Sequence, residues 1–380
     1  MKVAEIISDT NIGGAGRLLI TRLKNSKRDE IDTVVILPTG SKLKDKLEAI
    51  DIKVYEIDGC ADRSFDVLAI WKFYKLINKI APDIINTHGC MSARIAGLLC
   101  RVPIRVYTRH CAYPVPWIMK MFPIRQICGA LNSLLSTKII AVAEAAKKNL
   151  TDMGVPEKRI EVIINGVDGL EKYSEDKRTL MRQRLGVEKN FVVGICARLE
   201  RCKGHECFLR AARILLNEDK NYRFLIVGGG NLMGELKELS RALGIDESVI
   251  FTGFTDDVER YFNCFDLNVN CSVGTETSSL ALSEGMSIGL PCVASAYGGN
   301  PYMVQHGSNG FIYSINDFYD LADMIKRLSG NKELYKKMSD AAYKRYTSEL
   351  NSAKMTAETE ALYKALYENS LRKIERTAEL

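Results

Sequence analysis

The chain has 380 residues, 46% of them hydrophobic and 26% charged, which suits two globular cores better than one. Its net charge of +6 is uneven: residues 1–165 hold 25 Lys and Arg against 17 Asp and Glu, and Arg94 to Lys148 hold nine basic residues against one acid, Glu144. An anionic partner is therefore expected on the first half, and the absence of any nucleic-acid-binding motif leaves a membrane surface or a phosphate-bearing substrate rather than nucleic acid.

Taken in chain order, short apolar strands alternate with helices. Val3–Ser8 reads as a strand, Thr10–Gly16 as a glycine-rich turn and Arg17–Leu23 as the start of a helix. The opening apolar run is broken by Glu5 and is too short for a secretory signal. Strands follow at Thr33–Leu37, Lys53–Ile57, Asp83–Thr87, Arg105–Thr108, Lys138–Val142 and Ile160–Ile164, separated by helices. Residues 166–188 break the rhythm and read as a linker plus a helix. The second half then gives strands at Phe191–Cys196, Phe224–Val227, Val249–Thr252, Leu267–Asn270 and Cys292–Ser295, with helices at His205–Leu216, Leu232–Leu243 and Leu280–Ser287, and over 317–328, 332–345 and 353–370. No stretch approaches 18 uncharged apolar residues, so no bilayer span is expected. The eleven cysteines are irregularly spaced without a Cys-x-x-Cys pair, which predicts free thiols in a cytoplasmic protein.

This pattern predicts an α/β protein of two doubly wound parallel-sheet domains. The boundaries are expected at 1–165 for the first domain, 166–188 for the linker and 189–350 for the second domain, with 351–380 a helix packing back toward the first. In such folds ligands bind at the carboxyl ends of the strands, here in the crevice expected between the domains, so the loops there carry the argument. Asn11 to Arg17 includes Gly13 and Gly14, which suit either close backbone approach to an anion or a plain tight turn. Arg198 and Lys203 sit five residues apart in a loop and could converge on a phosphate, or be solvated charges. Gly228-Gly229-Gly230 is a similar strand–helix turn.

The stretch GTETSSLALSEG, residues 274–285, is the most informative. Ser278 or Ser279 suits a helix N-cap, which leaves Glu276 in the loop and Glu284 inside the helix. Free amides between two carboxylates could hold a diphosphate, with a sugar on one flank and a ribose on the other. An exposed glutamate and an ordinary helix charge would satisfy the same spacing. His88 and His110 close two neighbouring strands, where a structural histidine is the plainer reading.

Glu276 and Glu284 match the Glu-x7-Glu motif of glycosyltransferase family 4, and the chain resembles that family through most of its length. Gly285 to Ser295, Gly298-Gly299, Gly307 to Gly310, Asn165 to Asp168, Lys203-Gly204, Gly13-Gly14 and His110 follow in order and register. The resemblance implies a GT-B fold, two Rossmann-like domains facing each other across a cleft, and retaining transfer of a hexose-type sugar from a UDP- or GDP-sugar to a hydroxyl acceptor. It implies that His110, Arg198, Lys203 and Glu276 act in catalysis. Gly13, Gly14, Phe254, Ser279, Leu280 and Glu284 would bind the donor, the amides of Ser279 and Leu280 holding the diphosphate. No Asp-x-Asp motif occurs, so neither a metal nor another cofactor is expected beyond the nucleotide-sugar.

Three departures from the pattern, Thr277, Ser278 and Asn300-Pro301-Tyr302, bear on donor identity. The setting implied is bacterial envelope polysaccharide or glycolipid synthesis, with a sugar or lipid-linked acceptor. The apolar and basic run from Trp117 to Arg125 lies in residues 94–148, which could rest on an anionic membrane from the cytoplasmic side or form an ordinary core helix. The alternatives are a catalytically silent sugar-nucleotide-binding subunit and an epimerase of the same fold.

Overall fold

The computed structural model describes residues 1–113 and 115–378. The chain divides into two compact units, one of Met1–Gly166 together with the C-terminal helix from Ser352, the other of Val167–Asn351.

The first unit is a seven-stranded sheet of β1 (Lys2–Ile7), β2 (Asp32–Pro38), β3 (Lys53–Ile57), β4 (Ile84–His88), β5 (Ile104–Arg109), β6 (Lys138–Ala141) and β7 (Ile160–Val162). Its order is β3-β2-β1-β4-β5-β6-β7, and every pairing is parallel. Helices cover parallel strands on both faces, so the strands are apolar runs rather than alternating ones, and β4 is buried along its whole length. The helix Gly14–Lys24 lays Leu18, Leu19, Arg22 and Leu23 against the core, the spacing of one helical face. The C-terminal helix, Ser352–Ala378, does the same with Met355, Thr359 and Tyr363.

The second unit is a six-stranded sheet of β8 (Phe191–Cys196), β9 (Tyr222–Val227), β10 (Val249–Gly253), β11 (Leu267–Asn270), β12 (Cys292–Ser295) and β13 (Gly310–Tyr313). Its order is β10-β9-β8-β11-β12-β13, again all parallel. Phe208, Phe224, Phe262 and Phe265 fill its core and are fully buried.

In each sheet the winding reverses once, beside β1 and β4 in the first and β8 and β11 in the second. The strand on each side sends its loop away from its neighbour there, and a crevice opens at the carboxyl ends. Gly13-Gly14 and His88 stand at the first switch point, and Arg198, Lys203 and Glu276 at the second.

Two expectations change. From Val167 on, the expected linker folds with the second unit: the helix Glu175–Arg184 is fixed by Arg178 and Arg182, which both bind Asp266 ahead of β11. Charged composition concealed this, because the charges are paired. The strand Gly310–Tyr313 was not expected, since four residues after a glycine turn give too short a run to read. The cysteines are free, six of them buried.

Candidate active site

The second switch point is built on close backbone approaches. Gly204, which follows Lys203, has φ +67, and a Cβ there would lie 2.0 Å from the carbonyl oxygen of Cys271. Only glycine lets the Lys203 loop lie on the end of β11. Gly298 has φ +58, and a Cβ on it would stand 1.8 Å from the carbonyl oxygen of Glu276. The two glycines hold the lysine and the glutamate loops against a common floor.

On that floor Lys203 Nζ donates to Glu276 Oε2 at 2.8 Å. The same oxygen accepts from Ser272 Oγ at 2.7 Å and from Asn270 Nδ2 at 3.4 Å. Glu276 is 6% exposed, so it is not a solvent-exposed loop carboxylate. Asn270 also donates to Ser279 Oγ at 2.9 Å and accepts from the amide of Ser272 and from Asn300 Nδ2. Asn270 and Ser272 went unread in the sequence, and Asn300 was read only as a departure from the family pattern. The signal of the first two was polar residues at the end of an apolar strand, which a buried network would explain and a loop would not.

Ser279 is the N-cap of the helix Leu280–Ser287, its Oγ accepting from the amide of Leu282 at 3.3 Å. The amide of Ser279 meets Met303 Sδ at 3.1 Å, so one of the two amides expected for a diphosphate already has a partner. Glu284 is 4% exposed on this helix. Arg198 behaves differently from Lys203: its side chain is largely exposed and paired with Glu200 at 2.8 Å. Phe254 is 78% exposed and packs its Cβ side on Gly229, beside the glycine turn.

In the first unit, Gly13 caps the helix Gly14–Lys24. A Cβ at Gly14 would meet nothing within 4 Å, and one at Gly13 only Asp9 Oδ2 at 3.8 Å. The fold therefore does not itself demand glycine at either position. His110 is half-buried at the end of β5, with its Nε2 2.7 Å from His88 Nδ1. Burial, with His88 beside it, pushes His110 down to about 3. His88 Nε2 in turn lies 2.9 Å from Glu5 Oε2.

Two family models match the chain in tandem: Glycosyltransferase Family 4 over residues 12–169 and Glycosyl transferases group 1 over residues 176–345. The chain belongs to glycosyltransferase family 4. Among relatives of this family-4 protein, an Escherichia coli UDP-Gal:alpha-D-GlcNAc-diphosphoundecaprenol alpha-1,3-galactosyltransferase is 26% identical over 88% of this chain and 89% of its own. The Staphylococcus aureus capsular polysaccharide biosynthesis glycosyltransferase CapM is 23% identical over 80% of this chain and 82% of its own. The fold is GT-B: Anabaena HepE, solved in complex with UDP, superposes with a TM-score of 0.83 at 22% identity, covering 96% of this chain and all of HepE.

Proposed function

We propose that this family-4 glycosyltransferase moves a hexose from a UDP-sugar to a hydroxyl of a lipid-linked sugar acceptor, with retention of configuration and without a metal. The observation that carries the reading is the Lys203–Glu276 pair beneath the helix carrying Glu284, at the switch point of the second sheet. Three donors converge on Glu276 Oε2, which leaves the other carboxylate oxygen to accept from the transferred sugar. Glu284, eight residues on, accepts the two ribose hydroxyls. The diphosphate lies between them, against the amide of Leu280 and the cations of Lys203 and Arg198. Phe254, exposed beside Gly229, offers a face to the base.

Charge grows on the departing diphosphate as the sugar–oxygen bond breaks. Lys203, Arg198 and the helix N-terminus answer that charge, which is where a positioned group gains most over water. The acceptor hydroxyl attacks the face the diphosphate leaves, and the diphosphate takes its proton. Gly13 and Gly14 admit the donor to the backbone of the first unit, and His110 meets a sugar hydroxyl. UDP and galactose are the donor chemistry of the E. coli relative, and HepE has also been solved with UDP-glucose.

An apolar strip on the first unit supports a lipid-linked acceptor reached from the cytoplasmic side. Trp117, Phe122, Ile127, Leu131 and Leu134 are exposed along the turn Trp117–Lys120 and the helix Ile124–Leu135, with Lys120 and Arg125 among them. Such a strip suits peripheral docking on an anionic bilayer. Among the described residues no helix is long and apolar enough to cross one.

Calorimetric titration with UDP, GDP, ADP and their hexose conjugates, in buffer containing EDTA, tests the reading. Binding of the UDP series alone is expected. Glu284→Ala should weaken UDP about tenfold or more, the size of a charged hydrogen bond lost from a buried site. Unchanged UDP affinity in that variant would refute the ribose assignment.

A further inference from the structure

The two histidines at the first switch point are the outer links of a chain that begins on β1. Glu5, in the middle of that strand, has no exposure. Its Oε2 is 2.9 Å from His88 Nε2, and His88 Nδ1 is 2.7 Å from His110 Nε2, the two rings meeting edge to edge with centroids 5.0 Å apart and planes 23° apart. Glu5 also accepts from the Arg22 guanidinium, from Asn86 Nδ2 at 2.9 Å and from the Tyr363 hydroxyl at 2.9 Å.

This geometry restricts where hydrogens can be. Burial works against the Glu5 charge, but Arg22 and the hydrogen-bonding neighbours prevail and hold the carboxyl at about 2. Ionised, it can only accept, so His88 Nε2 must carry a hydrogen. One hydrogen fits between His88 Nδ1 and His110 Nε2. His110, neutral through burial, has a single ring hydrogen to place. When His88 is neutral, His110 donates from Nε2 and its Nδ1 is a bare acceptor. When His88 takes a second proton it donates from Nδ1, and His110 must move its hydrogen to its own Nδ1. That nitrogen is buried and has no partner among the described residues.

We propose that Glu5 and His88 are positioning residues that fix His110 Nδ1 as the acceptor for a hydroxyl of the transferred sugar. The proposal rests on the reading that His110 meets the sugar. The ionisable groups around His88 are Glu5 on β1, Arg22 on the helix Gly14–Lys24, Tyr363 on the C-terminal helix, Asp9 in the loop after β1, and His110. Asp9 is raised chiefly by burial and is held back by His88.

Two measurements on the full chain test this. Nitrogen-15 NMR of histidine-labelled protein distinguishes bare from protonated ring nitrogens. At neutral pH His110 Nδ1 should be bare and His110 Nε2 protonated. A His110 protonated at Nδ1 overturns the proposal. The second is release of UDP from UDP-galactose and UDP-glucose at neutral pH.

His88→Gln can donate to Glu5 and accept from His110 but cannot be charged. It should keep kcat/KM near the wild-type value and leave His110 Nδ1 bare. His88→Phe should lose about tenfold or more. If His88→Gln falls as far as His88→Phe, the assignment of His88 is wrong. His110→Ala separates the two readings. Intact UDP release in that variant removes the sugar contact and this proposal with it, whereas impaired release beside a failed His88→Gln removes only the His88 role.

Discussion

Single residues here answer to two demands that can be set against each other. Gly14 opens a helix where alanine would fit the backbone and touch nothing. Alanine lowers the entropy of the unfolded chain and favours helix, so Gly14→Ala should raise stability by up to about 1 kcal/mol. If the donor needs the backbone there, the same variant should bind the UDP-sugar more weakly. A thermal melt and a calorimetric titration on one preparation read the two signs. Glu5 makes the opposite case, a charge whose loss is costly to the fold. Glu5→Ala leaves the Arg22 guanidinium buried and unmatched, and should lose about 3–5 kcal/mol in urea denaturation at neutral pH. The folded carboxyl is held at about 2, below its ordinary 4.5. Its contribution is therefore complete above about 4.5 and fades as pH falls toward 2. The gap between wild type and Glu5→Ala should narrow over that window in urea melts repeated as the pH is lowered.

Elements were legible where their pattern was strong. Strands such as Val3–Ser8 and Phe191–Cys196 are nearly continuous apolar runs, and a parallel sheet buried on both faces produces runs of that kind. The Glu276–Glu284 spacing and the Ser279 cap could be read because a helix start has local chemistry. What holds Glu276 could not. Lys203 is 73 positions away, and nothing in either loop names the other. The Glu5–His88 pair was hidden for the same reason, although a charged residue in mid-strand was a visible clue that β1 meets a polar partner. A helix was expected within 166–188, but its attachment to the second unit was not, because charged and polar runs do not name their partners. Arg182 is 5% exposed and grips both oxygens of Asp266 at 3.0 Å, while Asp266 Oδ2 also takes the amide of Val192. Asp266→Ala should cost about 3–5 kcal/mol by stranding that arginine. Hydrogen exchange should show the helix Glu175–Arg184 opening first, and unchanged protection there would contradict this account.

For the whole molecule, the proposed chemistry brings a soluble donor to a bilayer-bound acceptor, so the protein's distribution between water and lipid becomes measurable. It should sediment with vesicles containing anionic lipid and less with neutral ones. Added salt should weaken the association, because screening shortens the reach of the basic residues. Trp117→Ser combined with Phe122→Ser should reduce sedimentation at every salt concentration. Equal sedimentation of that variant would remove the apolar strip from the account.

The return of the C-terminal helix to the first unit sets an order of assembly. A ribosome releases the chain from its amino end, and domains fold as their residues emerge. The second unit, Val167–Asn351, is continuous and has its full sequence before the C-terminal helix emerges. The first unit must wait: the tyrosine hydroxyl that binds Glu5 arrives 358 residues after it. Of the two units, the one begun first is thus the one finished last, and a nascent chain halted before Ser352 should carry a protease-resistant second unit behind a first one still open to cleavage.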